Sequence, residues 1–130
     1  MTKKFLNPEN MPKTAGYTHV VDARHSRTIY ISGQIAFDEN GEVVGVGNLA
    51  EQTRQVFENI HIALKAAGLT FDDVVKLTFF LTDISQMKAV REIRDQYINT
   101  KNPPASSAVE VSRLITDDLL IEIEAIAVAD

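Results

Sequence analysis

The sequence predicts an α+β fold in which six strands form a sheet and two amphipathic helices cover one of its faces. Three observations predict it: the elements follow the order β-β-β-α-β-α-β-β, each helical segment carries one apolar stripe, and no repeat or linker interrupts the 130 residues. A helix with a single apolar stripe must bury that stripe, and a sheet is the economical partner. We therefore expect residues 1–130 to form a single domain with one core.

The first three predicted strands follow a proline-containing N-terminal arm of irregular structure. Two β-rich runs, residues 19–23 and 28–32, are separated by four polar residues and predict a hairpin. Gly33 comes next, and residues 34–37 continue the extended pattern. A glycine inside a strand indicates either a bulge in a curved sheet or a place where a ligand approaches the backbone, and the pattern alone leaves both open.

The first helix is predicted between Asn48 and Gly68. Asn48 can cap the helix, Glu51 stands three residues later as in a capping box, and no proline or glycine follows before Gly68. Gly68 is suited to a C-terminal cap. The apolar residues that fall on one helical stripe are Val56, Ile60, Ala63, Leu64 and Ala67.

The remaining elements are one central strand, a second helix and two final strands. Residues 74–82 are the most strand-like run, and their near-continuous apolarity predicts burial on both faces. The second helix is predicted to begin near Asp83 or Ser85 and to end within residues 99–104. Two helices cover only one side of a small sheet, so an apolar second face predicts a homo-oligomer. The helix's inner stripe is Val90, Ile93 and Tyr97, and the final strands are residues 107–111 and 119–128.

Composition excludes several classes of function. The formal net charge of −5 argues against broad nucleic-acid binding, which depends on a basic surface. The chain has no cysteine, which excludes disulfides, thiolate metal sites and iron–sulfur clusters. The three histidines lack the spacing of metal ligands, so we expect no bound metal. Gly45-Val46-Gly47 is too short to be a phosphate-binding loop. No apolar run reaches the ~18–20 residues that cross a bilayer, and the first residues lack a signal-peptide core, so we expect a cytoplasmic location.

The last predicted strand carries two carboxylates, Glu122 and Glu124. A period of two places both on one face of the strand, about 7 Å apart. Their alternation with Ile121 and Ile123 is most simply explained by a half-exposed strand, apolar inside and charged outside. The functional alternative places one glutamate in a cleft between subunits, where it would suit acid–base chemistry.

Four segments of the chain resemble the RidA (YjgF) family. The similarity runs in order from about Phe5 to Val128, so it covers nearly the whole sequence. The element order agrees with the family as well. The segments are Ser32-Gly33-Gln34-Ile35, Ala66-Ala67-Gly68-Leu69, residues 104–111 and residues 121–128.

The resemblance implies a chorismate-mutase-like fold with a mixed six-stranded sheet. It also implies a homotrimer in which three sheets close into a central barrel, with the helices outside and small clefts between neighbouring subunits. In the best-characterised branch of the family, hydrolysis without a cofactor converts reactive enamines and imines, such as 2-aminoacrylate, to keto acids and ammonia. A small polar metabolite is thus the expected ligand, and neither a membrane nor a nucleic acid is an expected partner.

The resemblance also implies roles for individual residues. Glu122 matches the glutamate that manages the hydrolytic water, and Tyr17 matches the tyrosine that closes the cleft. Ser32 and Gly33 match the segment that contacts the substrate through its backbone. Ser106 stands at the position of the residue that binds the substrate carboxylate.

Two positions depart from the family pattern. Active deaminases read Pro-x-Arg followed by Ser or Thr, whereas this chain has Ser106 in place of the arginine. The proline usually found between the glycine and the tyrosine is absent from Gly16-Tyr17. Another cation can take over the missing charge: Arg91 aligns near the cleft, and Arg27 follows the first predicted turn. The alternative for Arg91 is a solvated helix residue paired with nearby acids.

Three functions follow, in decreasing order of support. The first is deamination of enamines and imines, on the usual or a divergent substrate, which the retained Glu122 favours. The second is a non-catalytic, ligand-binding or chaperone-like trimer, which Ser106 favours. The third is the ribonuclease or translation-inhibitor activity sometimes attached to the family, which the acidic composition disfavours.

Overall fold

The computed structural model describes residues 2–130 and places six strands and two α-helices in them. Strands β3, β6, β4 and β5 form a four-stranded sheet in that order, and only the β4–β5 pair is parallel. Strands β1 and β2 form a separate antiparallel pair. The predicted α+β class is confirmed. The elements are β1 Thr2–Leu6, β2 Val20–Arg24, β3 Arg27–Gln34, α1 Leu49–Ala66, β4 Val74–Leu81, α2 Met87–Arg94, β5 Ala105–Glu110 and β6 Ile121–Ala129, with 3₁₀ turns at Phe71–Asp73 and Ile84–Gln86.

The predicted element order is confirmed, and the predicted strands at residues 19–23 and 28–32 are β2 and β3, but the third strand of this region is β1 rather than residues 34–37. The sequence pattern missed β1, whose five residues pair with β2 in a register that joins Lys3 to Ala23. Residues 34–37 are not a separate strand, because β3 already extends through Gln34 and only Phe37 makes an isolated bridge, to Val43. A strand as short as β1 is stabilised by its partner 20 residues away in the chain, which local patterning does not reveal.

The hairpin predicted between β2 and β3 does not form, so the six strands do not make one continuous sheet. Only His25 and Ser26 separate the two strands. Two-residue hairpin loops favour positive φ angles, and among the described residues only glycines have them. Ser26 instead donates its backbone N–H to the carbonyl of Ala129 at the end of β6 (3.2 Å), which directs β3 onto β6.

Helix α1 begins and ends where the sequence predicts. The Asn48 side chain accepts a hydrogen bond from the Glu51 backbone (3.0 Å), and Gly68 follows the helix with a φ of +75°. The second helix starts as a 3₁₀ turn capped by Asp83 and continues as α2, which ends at Arg94, earlier than predicted. Both helices pack on the same face of the four-stranded sheet. The largest fully buried side chains in this core include Phe57, Ile60, Leu64, Leu77, Phe79, Leu81, Val90, Ile121 and Ile123.

The face of the sheet opposite the helices, which we name the open face, is only partly covered. On β4 the buried residues Leu77 and Phe79 alternate with the half-buried Thr78 and Phe80, so the strand is not buried on both faces as predicted. A single layer of helices covers only one face, and the period of two sends every second side chain to the other. Tyr30 on the same open face is 77% exposed. Within residues 2–130, neither helix has the length and apolarity to span a membrane.

Candidate functional site

Glu122 projects from the centre of the open face. Its chain neighbours Ile121 and Ile123 are fully buried in the helix-covered core, so alternation along β6 sends Glu122 to the other side. There it pairs in register with Phe80 of β4 and is half-buried. Glu124 lies on the same face but is exposed. The prediction that the two carboxylates share a face is confirmed.

The Glu122 carboxyl group packs directly against Gly33. A Cβ atom added at Gly33 would lie 2.8 Å from Glu122 Cδ, which is closer than real Cβ contacts permit. Position 33 must therefore be a glycine for the carboxylate to lie where it does. The close approach that the sequence left open is made here by a side chain of the same molecule.

A β-bulge places Ser32 and Gly33 beside this carboxylate. The pairing of β3 with β6 shifts between Ile31 and Gln34, so that two residues of β3 oppose one residue of β6. A bulge removes local backbone groups from the ladder and leaves them available to other partners. The bulge, one of the two alternatives that the sequence left open, is thus present. It brings together three predicted site residues, Ser32, Gly33 and Glu122, which we name the open-face group.

Two other predicted residues, Tyr17 and Ser106, lie at the β5 edge of the sheet; we name them the edge group. Thr18 joins their segments: its backbone N–H donates to the Pro104 carbonyl (3.2 Å) and its hydroxyl donates to the Pro103 carbonyl (2.5 Å). Both residues of the edge group are half-buried. Ser106 pairs in register with Leu77, which puts it on the helix-covered face.

The two groups are far apart within one chain. In the order β3-β6-β4-β5, Glu122 lies on β6 and Ser106 on β5, two strand spacings away. Their partners on β4, Phe80 and Leu77, are three residues apart, so the two Cα atoms are about 14 Å from each other. Their side chains also project from opposite faces. One chain therefore does not bring the five residues into a single cleft.

Arg91 and Arg27, the two candidate replacements for the missing arginine, have different surroundings. Arg91 is exposed on α2, at helical spacing from Met87 and Arg94, and belongs to neither group. Arg27 donates to the Ala67 carbonyl at the end of α1 (3.3 Å). This bond gives Arg27 a structural partner away from both groups.

Sequence analysis did not identify Arg94, which is only 4% exposed and lies beneath Gly16. Its Nε and one terminal nitrogen each lie 3.0 Å from the same carboxylate oxygen of Asp95. A detectable signal existed: Arg94 falls four residues after Val90, on the flank of the apolar stripe, where a charged side chain is unusual.

A cavity of about 630 Å³ opens next to the open-face group. Gly33 lines it together with the apolar side chains of Phe37 and Ile62. Asn59 forms part of the wall and donates to the carbonyls of Ile35 (3.0 Å) and Phe37 (2.9 Å), which fixes the backbone that follows the bulge. The cavity therefore shares Gly33 with the open-face group and is bounded by a well-anchored chain segment.

Two titratable groups near α2 have clearly shifted pKa values. Hydrogen bonds from Ser85 and Gln86 to the Asp83 carboxylate lower its pKa, as suits a residue that caps the turn before α2. Burial, followed by hydrogen bonding to Glu58, raises the pKa of Tyr97. Across residues 2–130, no three His, Asp or Glu side chains are grouped so as to hold a metal ion.

Comparison with known proteins identifies the family of the chain. The family model described as Endoribonuclease L-PSP matches residues 8–129. A RutC family protein of Pyrococcus horikoshii is 43% identical over 127 residues, covering 96% of this chain and 97% of that protein. The 2-iminobutanoate/2-iminopropanoate deaminase of Rattus norvegicus is 39% identical over 127 residues, covering 97% and 90%.

Solved structures agree with the sequence comparison. A Rid family protein of unknown function from Yersinia pestis superposes with a TM-score of 0.87 at 37% identity, over 98% of this chain and 99% of that one. RidA from an Antarctic Psychrobacter gives a TM-score of 0.72 at 34% identity, over 96% and 98%. The chain therefore belongs to the Endoribonuclease L-PSP family, which is the RidA (YjgF) family that its motifs resemble.

Proposed function

We propose that this protein hydrolyses small reactive imines and enamines to the corresponding keto compound and ammonia. The observation that carries the proposal is the Glu122 carboxyl group, half-buried and packed against Gly33 at a bulge in the sheet. An acid packed beside the backbone of a bulge suits a reaction that needs both proton transfer and substrate orientation. The deaminase names of the human and rat relatives, at 44% and 39% identity, support the same class of chemistry.

The reaction needs one proton acceptor that later becomes a donor. Water adds to the imine carbon while the Glu122 carboxylate accepts a proton from it. Glu122 returns that proton to the nitrogen, which completes the neutral carbinolamine. Glu122 then transfers the proton of the new hydroxyl group to the same nitrogen, so the C–N bond breaks, ammonia leaves and the carbonyl forms. In sum, one imine and one water give one carbonyl compound and one ammonia, so neither an oxidant nor a cofactor is required. Backbone groups at Ser32 and Gly33 are placed to orient the substrate.

We further propose that the working form is a homotrimer in the cytoplasm. A substrate of a few heavy atoms cannot reach both Glu122 and Ser106 across about 14 Å. If the β5 edge of a second copy approaches the open face, its Tyr17 and Ser106 complete the cleft. The partly exposed side chains of the open face, among them Tyr30 and Phe80, would then be covered.

The residue at position 106 sets the strength with which a carboxylate is held. A hydrogen bond to a charged group is worth about 1.5–3 kcal/mol, against about 0.5–1.5 kcal/mol for a neutral one. Ser106 therefore binds a substrate carboxylate more weakly than an arginine, by about 1–2 kcal/mol. We propose that Arg91, exposed on the flank of α2 that also carries Arg94, supplies the missing charge.

The alternative function is a trimer that binds a small ligand without catalysis. Ser106 is the observation that favours it, because a neutral side chain there keeps a hydrogen bond and loses the charge. The ribonuclease activity in the family's name has less support here. A net charge of −5 provides little of the positive surface that binds single-stranded nucleic acid.

One assay separates these functions. A serine dehydratase generates 2-aminoacrylate, and its decay is followed with the native protein, with Ser106→Arg and with Glu122→Gln. Faster decay with native protein and none with Glu122→Gln supports the deaminase. Faster decay of 2-aminoacrylate with Ser106→Arg alone indicates a binding protein that has lost its catalytic activity. No faster decay with native protein or with any variant refutes deamination of this substrate. Light scattering tests the assembly, and a monomer would contradict the shared cleft.

A further inference from the structure

Arg94 is a buried cation that the proposed reaction does not use. Its side chain is only 5% exposed, and its Nε donates a hydrogen bond to a carboxylate oxygen of Asp95 (3.0 Å), with a terminal nitrogen also 3.0 Å from that oxygen. Burying a charge is costly unless it is paired. The Asp95 carboxylate neutralises and fixes the guanidinium, so Arg94 is not available to bind a substrate anion.

Gly16 lies directly on this guanidinium. A Cβ atom at Gly16 would come within 2.9 Å of Arg94 Cζ, and the backbone has a φ of +77°, which residues with side chains rarely adopt. Two independent features thus require glycine at position 16. The buried arginine forms the surface against which the residue before Tyr17 rests.

Thr18, the residue after Tyr17, is also fixed in position by its contacts. Thr18 is 1% exposed, and its backbone and hydroxyl groups donate to the carbonyls of Pro104 and Pro103. Tyr17 is therefore flanked on one side by a close packing contact with α2 and on the other by two hydrogen bonds to the segment that leads into β5.

We propose that Arg94 is a positioning residue that, together with Thr18, fixes Tyr17 at the β5 edge. The link between Tyr17 and catalysis rests on the proposed function, whereas the restraint on Tyr17 does not. Fixing the flanking backbone on both sides reduces the conformational freedom of the tyrosine before any ligand binds. A cleft completed by Tyr17 would then be pre-organised.

Fluorine NMR on 3-fluorotyrosine-labelled protein tests the restraint without requiring activity. The chain has three tyrosines, Tyr17, Tyr30 and Tyr97, so tyrosine-to-phenylalanine variants assign the signals. In Arg94→Lys the Tyr17 signal should shift or broaden while that of Tyr30 stays unchanged. Backbone amide exchange at Tyr17 and Thr18 should become about tenfold faster, because the loop would need less free energy to open locally. A lower melting temperature with an unchanged Tyr17 signal would overturn the proposal.

Gly16→Ala provides a second variant in case Arg94→Lys fails to fold. The added methyl group collides with the guanidinium, so the Tyr17 signal should move although Arg94 is retained. Gly41→Ala is the matched control, because Gly41 has the same φ of +77° but nothing within 4 Å of the added atom. Gly16→Ala is also made in an Arg94→Ala background, where the φ of residue 16 is still unfavourable but the colliding guanidinium is gone. An undiminished response of Tyr17 there would assign the effect to backbone strain at position 16 and would overturn the role of Arg94.

A double-mutant cycle connects the restraint to the reaction. If Arg94 acts through Tyr17, Arg94→Lys should lower kcat/KM by roughly one to two orders of magnitude, the cost of a misplaced group. The same change should have no further effect in Tyr17→Phe. Additive losses would overturn the proposal. Absence of activity in the native protein, with the Tyr17 signal responding as expected, would overturn the proposed function and leave the restraint established.

Discussion

The open-face group and the edge group are held in place by different kinds of interaction. Ser32, Gly33 and Glu122 lie on two strands of one antiparallel ladder, so their positions follow from backbone pairing. Tyr17 lies in a loop that is fixed by one backbone hydrogen bond, from Thr18 to Pro104, and by two side-chain contacts, through the Thr18 hydroxyl and the Arg94 guanidinium. Backbone pairing is insensitive to most substitutions, whereas a side-chain restraint is lost with a single residue. We therefore expect the chemistry to reside in the open-face group and adaptation to a substrate in the edge group.

Removing the charge of Glu122 should have the largest effect. Glu122→Gln keeps the size of the side chain and its packing on Gly33 but cannot accept a proton from water. General acid–base catalysis contributes about 10²–10⁴-fold, so kcat should fall by that factor while the melting temperature changes little. The rate of imine decay at saturating substrate measures kcat.

Glu124→Gln is the matched control for this prediction. Glu124 lies on the same strand and face but is exposed, and the atoms nearest an added Cβ at Gly33 belong to Glu122 rather than to Glu124. Its activity should stay within a factor of about three of native, as for an exposed surface substitution. Equal losses in both variants would mean that net charge on the open face matters rather than a specific acid.

Replacing Gln52 tests whether the open-face group depends on side chains as the edge group does. Gln52 is fully buried on α1, donates to the carbonyls of Gly45 (3.1 Å) and Asp118 (2.8 Å), and accepts from the Leu120 backbone (2.9 Å). Gln52→Leu leaves buried polar groups unpaired and should cost about 3 kcal/mol of unfolding free energy. Because pairing with β3 and β4 sets the register of β6, kcat of the folded protein should be retained.

Chemical denaturation and kinetics on the same sample measure both parts of this prediction. Lys65→Leu, an exposed substitution on the same helix, should change the unfolding free energy by less than about 0.5 kcal/mol. A large loss of kcat in folded Gln52→Leu would show that Glu122 is also positioned by a side chain. The contrast between the two groups would then not hold.

Gly33→Ala should have a smaller effect on stability. The φ of Gly33 is not positive, and the atoms nearest an added methyl group belong to the Glu122 side chain, whose carboxyl end can turn aside. The cost should therefore be about 1 kcal/mol or less, below that of overpacking in a rigid core. Glu122→Ala removes the colliding atoms, so the two substitutions should be non-additive in a denaturation cycle. Additive costs would place the strain elsewhere in the bulge.

The sequence was sufficient to predict what depends on local pattern or on strand alternation. Asn48 and Gly68 bound α1 because capping chemistry is local, and Gly33 indicated a bulge because glycine interrupts a β pattern. Glu122 faces away from the core because Ile121 and Ile123 face into it. Each of these predictions uses residues within a few positions of one another.

Long-range pairing could not be predicted in the same way. Strand β1 is stabilised by β2, and the contact of Arg94 with Gly16 joins residues 78 positions apart. The separation of Ser106 from Glu122 follows from the strand order, which the motifs do not encode. A resemblance assigns residues to a site, but only the structure shows that they form two groups.

Alkaline pH should weaken the edge group first, through Tyr97. Its ring stacks on Phe57 (centroids 5.0 Å apart), and its backbone donates to the Arg94 carbonyl (2.9 Å), so it closes the turn that follows Arg94. Burial, followed by hydrogen bonding to Glu58, raises the pKa of Tyr97 in the folded state. The neutral phenol is thus favoured by folding. Its contribution to stability is complete below the unfolded pKa of about 10 and is lost as pH rises through the higher folded pKa.

Chemical denaturation of the native protein and of Tyr97→Phe measures how the unfolding free energy depends on pH. We expect this effect to be smaller than those of the substitutions above, because it involves the ionisation of one side chain. Between about pH 8 and about pH 11, native protein should lose more stability than Tyr97→Phe, because phenylalanine cannot ionise. Tyr30→Phe, at a 77% exposed tyrosine, should behave as native does. Over the same range, the protection of backbone amides, taken relative to their intrinsic base-catalysed exchange, should fall at Thr18 before it falls at Glu122, since the loop depends on α2 and the ladder does not. An equal loss of protection at both residues would mean that the two groups open as one cooperative unit.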